Sequence, residues 1–177
     1  MSFYTSKLHE TLDRWQGIQT SPSNENRKYP NGIPVIKYPL IEKWIGRAHP
    51  IIPGLWVIPL VTYLIQKALN FHSGAFVFVQ VFVAVLSWTL LEYVIHRAFF
   101  HYPYHDKMHP QLKTLLFMMH GYHHEFPNDP GRLVMPIILA WPLAIAVAVP
   151  LWVILGKIYF YGFFSGILLG YLAYDWV

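Results

Sequence analysis

The 177-residue sequence predicts an all-α integral membrane protein, with four transmembrane helices in two hairpins and a histidine-bearing cytosolic-side cap. Three observations carry this expectation. The chain is 55% hydrophobic and only 12% charged, with mean hydropathy +0.34, where water-soluble domains carry about 25% charged residues. Four stretches approach the roughly 20 mostly apolar residues that a helix needs to cross the hydrocarbon. The basic residues, finally, are distributed unevenly about those stretches. The same composition excludes disordered, collagen-like and coiled-coil chains. The absence of cysteine excludes disulfide scaffolds, thiolate zinc sites and cysteine nucleophiles.

Residues 1–50 form a polar N-terminal segment, with turn-forming residues over 20–34 and a short interfacial helix expected within 38–49, anchored by Trp44. Nothing over residues 20–34 suggests chemistry. The membrane domain is expected over 51–177. Its spans are read at about 51–69, 74–95, 133–155 and 158–177, joined in pairs by very short loops near 70–73 and 156–157. Pro53, Pro59, Pro136, Pro142 and Pro150 predict kinks rather than breaks, because neighbouring helices take up the freed carbonyls. No cleavable signal peptide is visible in the polar first 30 residues.

Lys7, Arg14, Arg27, Lys28, Lys37, Lys43 and Arg47 precede the first span, and Arg97, Lys107, Lys113 and Arg132 lie in the 96–132 segment. Only Lys67 and Lys157 belong to the short hairpin turns and their flanks. The positive-inside rule therefore puts the N-terminus and the 96–132 segment on the cytosolic-type face. The net charge of +4 and pI near 9.2 are mainly a topology signal. No nucleic-acid partner is expected, because the basic residues form no run.

Seven of the ten histidines fall within 96–124. His120, His123 and His124 stand at i, i+3 and i+4, a spacing that brings imidazoles to one helical face and suits one or two metal ions. His96 and His101 are five apart, roughly 140° around an ideal helix, so they share an ion only if the helix is irregular or if they address two ions. Glu92, one turn before His96, is placed to orient that ring from behind. His9, His49 and His72 are expected to be interfacial, and His105 and His109, between Pro103 and Pro110, to lie in loops. Imidazole ligands suit both iron and zinc. Metalloprotease, Walker, dinucleotide and nucleophile-elbow motifs are absent.

Glu92-Tyr93-x-x-His96-Arg97-x-x-x-His101, then Met119-His120-Gly121-x-His123-His124-x-x-Pro127-x-Asp129-x-x-Arg132, resembles the first half of the fatty acid 2-hydroxylase branch of the fatty acid hydroxylase superfamily. Gly166-x-Leu168-Leu169-Gly170-Tyr171-x-x-Tyr174-Asp175 resembles that branch's last membrane helix, so the likeness covers roughly 35–177. The resemblance implies a cap with two iron ions, of which His96, His101, His120, His123 and His124 would be ligands. It implies a very-long-chain acyl or ceramide substrate, hydroxylated next to its carboxyl by dioxygen with electrons from a separate b-type cytochrome. Tyr93, Tyr122, Phe126, Asp129 and Arg132, like Glu92, match motif positions near that site and are candidates for supporting the ligands or contacting the acyl chain.

The resemblance also implies a second set of histidines, H-x-x-x-H and H-x-x-H-H, beyond the last membrane helix, where this sequence stops at Val177. Three expectations stay open: a fragment of a longer chain, a site completed by another chain, or a non-catalytic structural subunit of a larger membrane complex. An endoplasmic reticulum membrane is expected for a hydroxylase, and a mitochondrial inner membrane for a complex subunit.

Overall fold

A computed structural model of the protein describes residues 4–14, 32–100 and 109–176. The chain divides into two compact units, Met1–His49 with Val94–Pro136 and Pro50–Tyr93 with Ile137–Val177. Every regular element among the described residues is helical, apart from an isolated antiparallel bridge between Tyr4 and Ile36.

In the first unit, α1 (Ser6–Arg14) begins where the Thr5 hydroxyl accepts a hydrogen bond from Leu8 N at 3.2 Å, capping the helix. Its Leu8, Thr11 and Leu12 are buried at i, i+3 and i+4. A short helix, α2 (Pro39–Ile41), runs into a π-turn over Glu42–Gly46. Leu8 and Leu12 join Ile33, Val35, Ile36, Leu116, Phe117, Tyr122 and Phe126 in one core, so the N-terminal segment packs on the histidine-bearing segment. Glu42, at the start of that π-turn, is buried at 7% exposure.

The second unit holds three helices long and apolar enough to cross a membrane: α3 (Ile51–Leu69), α4 (Gly74–Ile95, with its apolar stretch extending to Ala98) and α7 (Ile137–Trp176). The first two match their predicted bounds. The third begins at Ile137 rather than near 133, and it runs 40 residues without a connecting loop assigned. Its backbone nevertheless leaves helical geometry at Gly156, with φ 62° and ψ 174°, and not at Pro142 or Pro150. Trp152 and Phe160 have ring centroids 5.0 Å apart across that point. In a straight helix eight residues would separate them by about 12 Å along the axis, so the helix is sharply bent there. Glycine suits the turn because positive φ with an extended ψ is a region essentially reserved to residues without a Cβ.

Val57, Val61 and Leu64 supply the buried stripe of α3; Ala84 and Trp88 supply that of α4, and Phe160, Phe164, Ile167, Leu168 and Leu172 that of α7. The sequence spacing of Gly162, Gly166 and Gly170 sets three glycines one turn apart, lying against Gln80, Val81 with Ala84, and Trp88 respectively. Close helix approach through small residues is the usual way apolar helices associate where lipid offers no hydrophobic contrast. Phe78, Val153 and Ile154, each at least 70% exposed, face outward from this unit. The Trp176 indole donates to Pro50 O at 2.8 Å and tethers the end of α7 to the start of α3.

Candidate metal centre

The helix that carries most of the histidines is irregular. His109 caps α5 (Pro110–Leu116) by accepting from Gln111 N at 3.4 Å, consistent with its expected loop position. A π-turn over Phe117–Gly121 follows, then the single turn α6 (Tyr122–Glu125). A further π-turn, His96–Phe100, extends α4. Such wide turns recur at functional sites. The five-residue step between His96 and His101 left an irregular helix or two ions open, and His101 itself lies outside the described residues, as does His105.

His96, His120 and His124 converge, each offering a ring nitrogen within 4.8 Å of the other two. The Nε2 atoms of His120 and His124 lie 2.7 Å apart, and the ring centroids of His96 and His120 are 4.4 Å apart. Two nitrogens bound to one ion at about 2.0–2.1 Å would stand roughly 2.9–3.4 Å from each other. The three imidazoles therefore fit one ion after shifts of an ångström or so. His123 lies beside them, its ring centroid 6.1 Å from that of His124. Partial burial first, and the neighbouring His96 second, lower its pKa below the usual histidine value. A neutral imidazole is the form that ligates a metal.

Behind the histidine face lies a buried polar network that sequence reading only half identified. Tyr122, 2% exposed, places its hydroxyl 2.9 Å from Asp129 Oδ2 and 3.0 Å from Ile33 O, and accepts from Ile33 N at 2.9 Å. Burial is the main cause that raises the Tyr122 pKa; Arg132 opposes the rise and Asp129 adds to it. The phenol thus stays protonated and available as a donor. Asp129, fully buried, also accepts from Gly131 N at 3.0 Å and faces Arg47 Nη1 at 3.5 Å. The Arg132 guanidinium stacks 4.5 Å from the centre of the Tyr122 ring and donates to Glu42 Oε1. Glu42 Oε2 in turn accepts from Ile36 N at 2.9 Å.

Of the residues predicted near the site, Tyr122, Phe126, Asp129 and Arg132 are all buried in this unit. Tyr93 is 53% exposed, and Glu92 shares a side-chain hydrogen bond with Tyr174. Glu42, Arg47 and Gly32 were missed, because their partners lie about 90 residues away in sequence and leave no local pattern. Gly32 has φ 73°, and a Cβ there would stand 2.3 Å from both Tyr122 OH and Asp129 Oδ2. Only glycine accommodates both that backbone and that approach.

No family model matches the chain. It is 35% identical over 130 residues to the ceramide very long chain fatty acid hydroxylase of Schizosaccharomyces pombe, covering 70% of this chain and 35% of that protein. It is 36% identical over 133 residues to a dihydroceramide fatty acyl 2-hydroxylase of Arabidopsis thaliana, covering 70% of this chain and 51% of that one. Against the fatty acid 2-hydroxylase of Rattus norvegicus, identity is 43% over 100 residues, 56% of this chain and 27% of the relative. The chain thus spans about half, or less, of the length of these curated relatives. A solved structure of full-length scs7p, in which only the hydroxylase domain is visible, shares the fold with TM-score 0.73 at 24% identity, over 99% of this chain and 62% of that one. Over the part that aligns, the chain is similar to the fatty acid 2-hydroxylases, members of the fatty acid hydroxylase superfamily.

Proposed function

We propose that this chain carries part of a membrane di-iron hydroxylase that uses dioxygen to hydroxylate a very-long-chain acyl group, free or as ceramide, at the carbon next to its carboxyl. The observation that carries the reading is the convergence of His96, His120 and His124 from two separate helical segments. His101 and His123 complete the proposed ligands on this chain, by resemblance. An inert C–H bond offers no acidity for acid–base catalysis, and the redox metal, when bound, supplies the dioxygen activation that this chemistry needs. The chain's own residues hold the imidazoles convergent, and bury Tyr122, Asp129 and Arg132 behind them. Zinc fits the same donors and competes for the site in preparations lacking iron.

The architecture that goes with this function has four spans, the reversal at Gly156 dividing α7 into two, and a histidine-bearing cap on the cytosolic-type face, as the distribution of basic residues supports. Residues 1–50 form the N-terminal segment and 51–177 the hydroxylase-like membrane domain. Electrons come from a separate b-type cytochrome, and the endoplasmic reticulum is the expected membrane.

The test is metal analysis of detergent-purified protein loaded with ferrous iron, with hydroxylated acyl chains assayed in membranes of expressing cells. Bound iron is expected in the wild-type chain and is lost in His120→Ala and His123→Ala, together with the 2-hydroxylated product. Metal content unchanged by both substitutions would reject the site. Bound iron without any lipid hydroxylation would instead support a non-catalytic subunit.

A further inference from the structure

We infer that Glu42, in the N-terminal segment, is a positioning residue for the metal centre, acting through Arg132 and Tyr122 on the turn that carries His120 and His124. The inference rests on the metal-binding reading above. Three observations within one compact unit support it.

The first is where Tyr122 sits. It falls between His120 and His124 in sequence, so on a helix it projects roughly opposite them. Fixing the Tyr122 ring therefore fixes the rotation of the turn and the direction of both imidazoles. The second is what fixes the ring. Its hydroxyl is held by Ile33 and Asp129, while one face is covered by the Arg132 guanidinium 4.5 Å from its centre. Arg132 is itself 9% exposed and needs a carboxylate to remain buried as a cation. Glu42 Oε1 is that partner.

The third is that Glu42 has its own anchor. Its other oxygen accepts from Ile36 N at 2.9 Å, and Arg47, 3.7 Å from Oε1, links it onward to Asp129. Ala48 N donates to Gly131 O at 2.9 Å, closing a ring of contacts between residues 33–48 and 122–132. Glu42 thereby couples the N-terminal segment to the histidine turn without touching a histidine-borne ion.

The experiment uses the detergent-solubilised 177-residue chain with cobalt(II) as the probe metal, read by affinity and by the visible absorption of the bound ion. Wild type is expected to bind cobalt, and His120→Ala to lose it. Glu42→Gln keeps an acceptor for Ile36 N but removes the charge. It is expected to weaken cobalt binding about 10–100-fold, the range for residues that support ligands from behind, and to alter the absorption of the bound ion. Glu42→Asp, which restores the charge, is expected to lose less. Arg132→Lys, which keeps a charge but not the planar fork, provides a second route should Glu42→Gln fail to fold. Leu12→Ala, which opens a cavity in the same core, is expected to lower the unfolding temperature while leaving cobalt affinity and absorption unchanged.

Wild-type affinity and absorption in both Glu42→Gln and Arg132→Lys, with His120→Ala defective, would overturn the positioning role and leave the metal site standing. A loss in Leu12→Ala as large as that in Glu42→Gln would overturn it too. Undiminished binding in His120→Ala would reject the metal reading beneath it.

Discussion

The two compact units solve the same problem, holding helices in register, by opposite means. The unit containing the histidines buries Glu42, Asp129 and Arg132 and engages both oxygens of each carboxylate. The unit of apolar helices buries no ion pair among its described residues. It packs glycines against side chains and backbone, and leaves Gln80 Oε1 and Trp88 Nε1 without a hydrogen-bond partner there. Directional polar bonds specify geometry where water is the alternative environment. Where lipid is the alternative, apolar burial discriminates poorly between arrangements, and shape at close approach takes over.

Four substitutions sharpen or break this contrast, in decreasing order of effect. Arg132→Ala leaves Glu42 buried without its closest cation and is expected to destabilise the histidine-bearing unit by about 3–5 kcal/mol. Chemical unfolding followed by tyrosine and tryptophan fluorescence would measure it; a change under about 1 kcal/mol would show that the buried charges specify little. Gly166→Val places a Cβ 2.4 Å from the backbone oxygen of Val81, which no rotamer relieves. A cost of about 1–3 kcal/mol in detergent unfolding is expected from such overpacking. Wild-type stability there would mean that the helices do not need the close approach.

Gly156→Ala adds a Cβ where φ 62° with ψ 174° is essentially reserved to glycine, so a loss of about 1–3 kcal/mol is expected. Retained stability would argue for a continuous helix through this point. Gln80→Met removes the buried, unpartnered Gln80 Oε1 while preserving the side chain's length. Stability is expected to stay within about 1 kcal/mol of wild type or to rise, because no protein hydrogen bond is lost. A marked loss would show that Gln80 has a bound partner such as water, and that the membrane unit also relies on polar contacts.

Much of the fold was legible because it depends on local composition. The bounds of α3 and α4 follow from their apolar runs, and the break in helical geometry at Gly156 falls where a glycine and a lysine stand between two such runs. The late start of α7 was not, since Leu133, Val134 and Met135 are apolar yet precede the helix, with Val134 buried in the histidine-bearing unit's sequence range. In the site, the spacing of His120, His123 and His124 predicted one shared face, of which the structure brings His120 and His124 together with His96, while the five-residue step from His96 to His101 left open an irregular helix or two ions. The role of residues 33–48 was hidden. Glu42 and Arg47 read as ordinary charges of an interfacial helix until the chain path brings them to Arg132 and Asp129.

The sequence by itself determined that this chain forms membrane-length helices and carries a dense set of imidazoles between them, because hydrophobic length and residue type act locally. Only the tertiary structure decided that His96 joins His120 and His124, and that the N-terminal segment grips the turn that bears two of them. Those contacts join residues 24 to about 90 positions apart, and no local preference encodes which distant partner a buried charge or a ligand will meet.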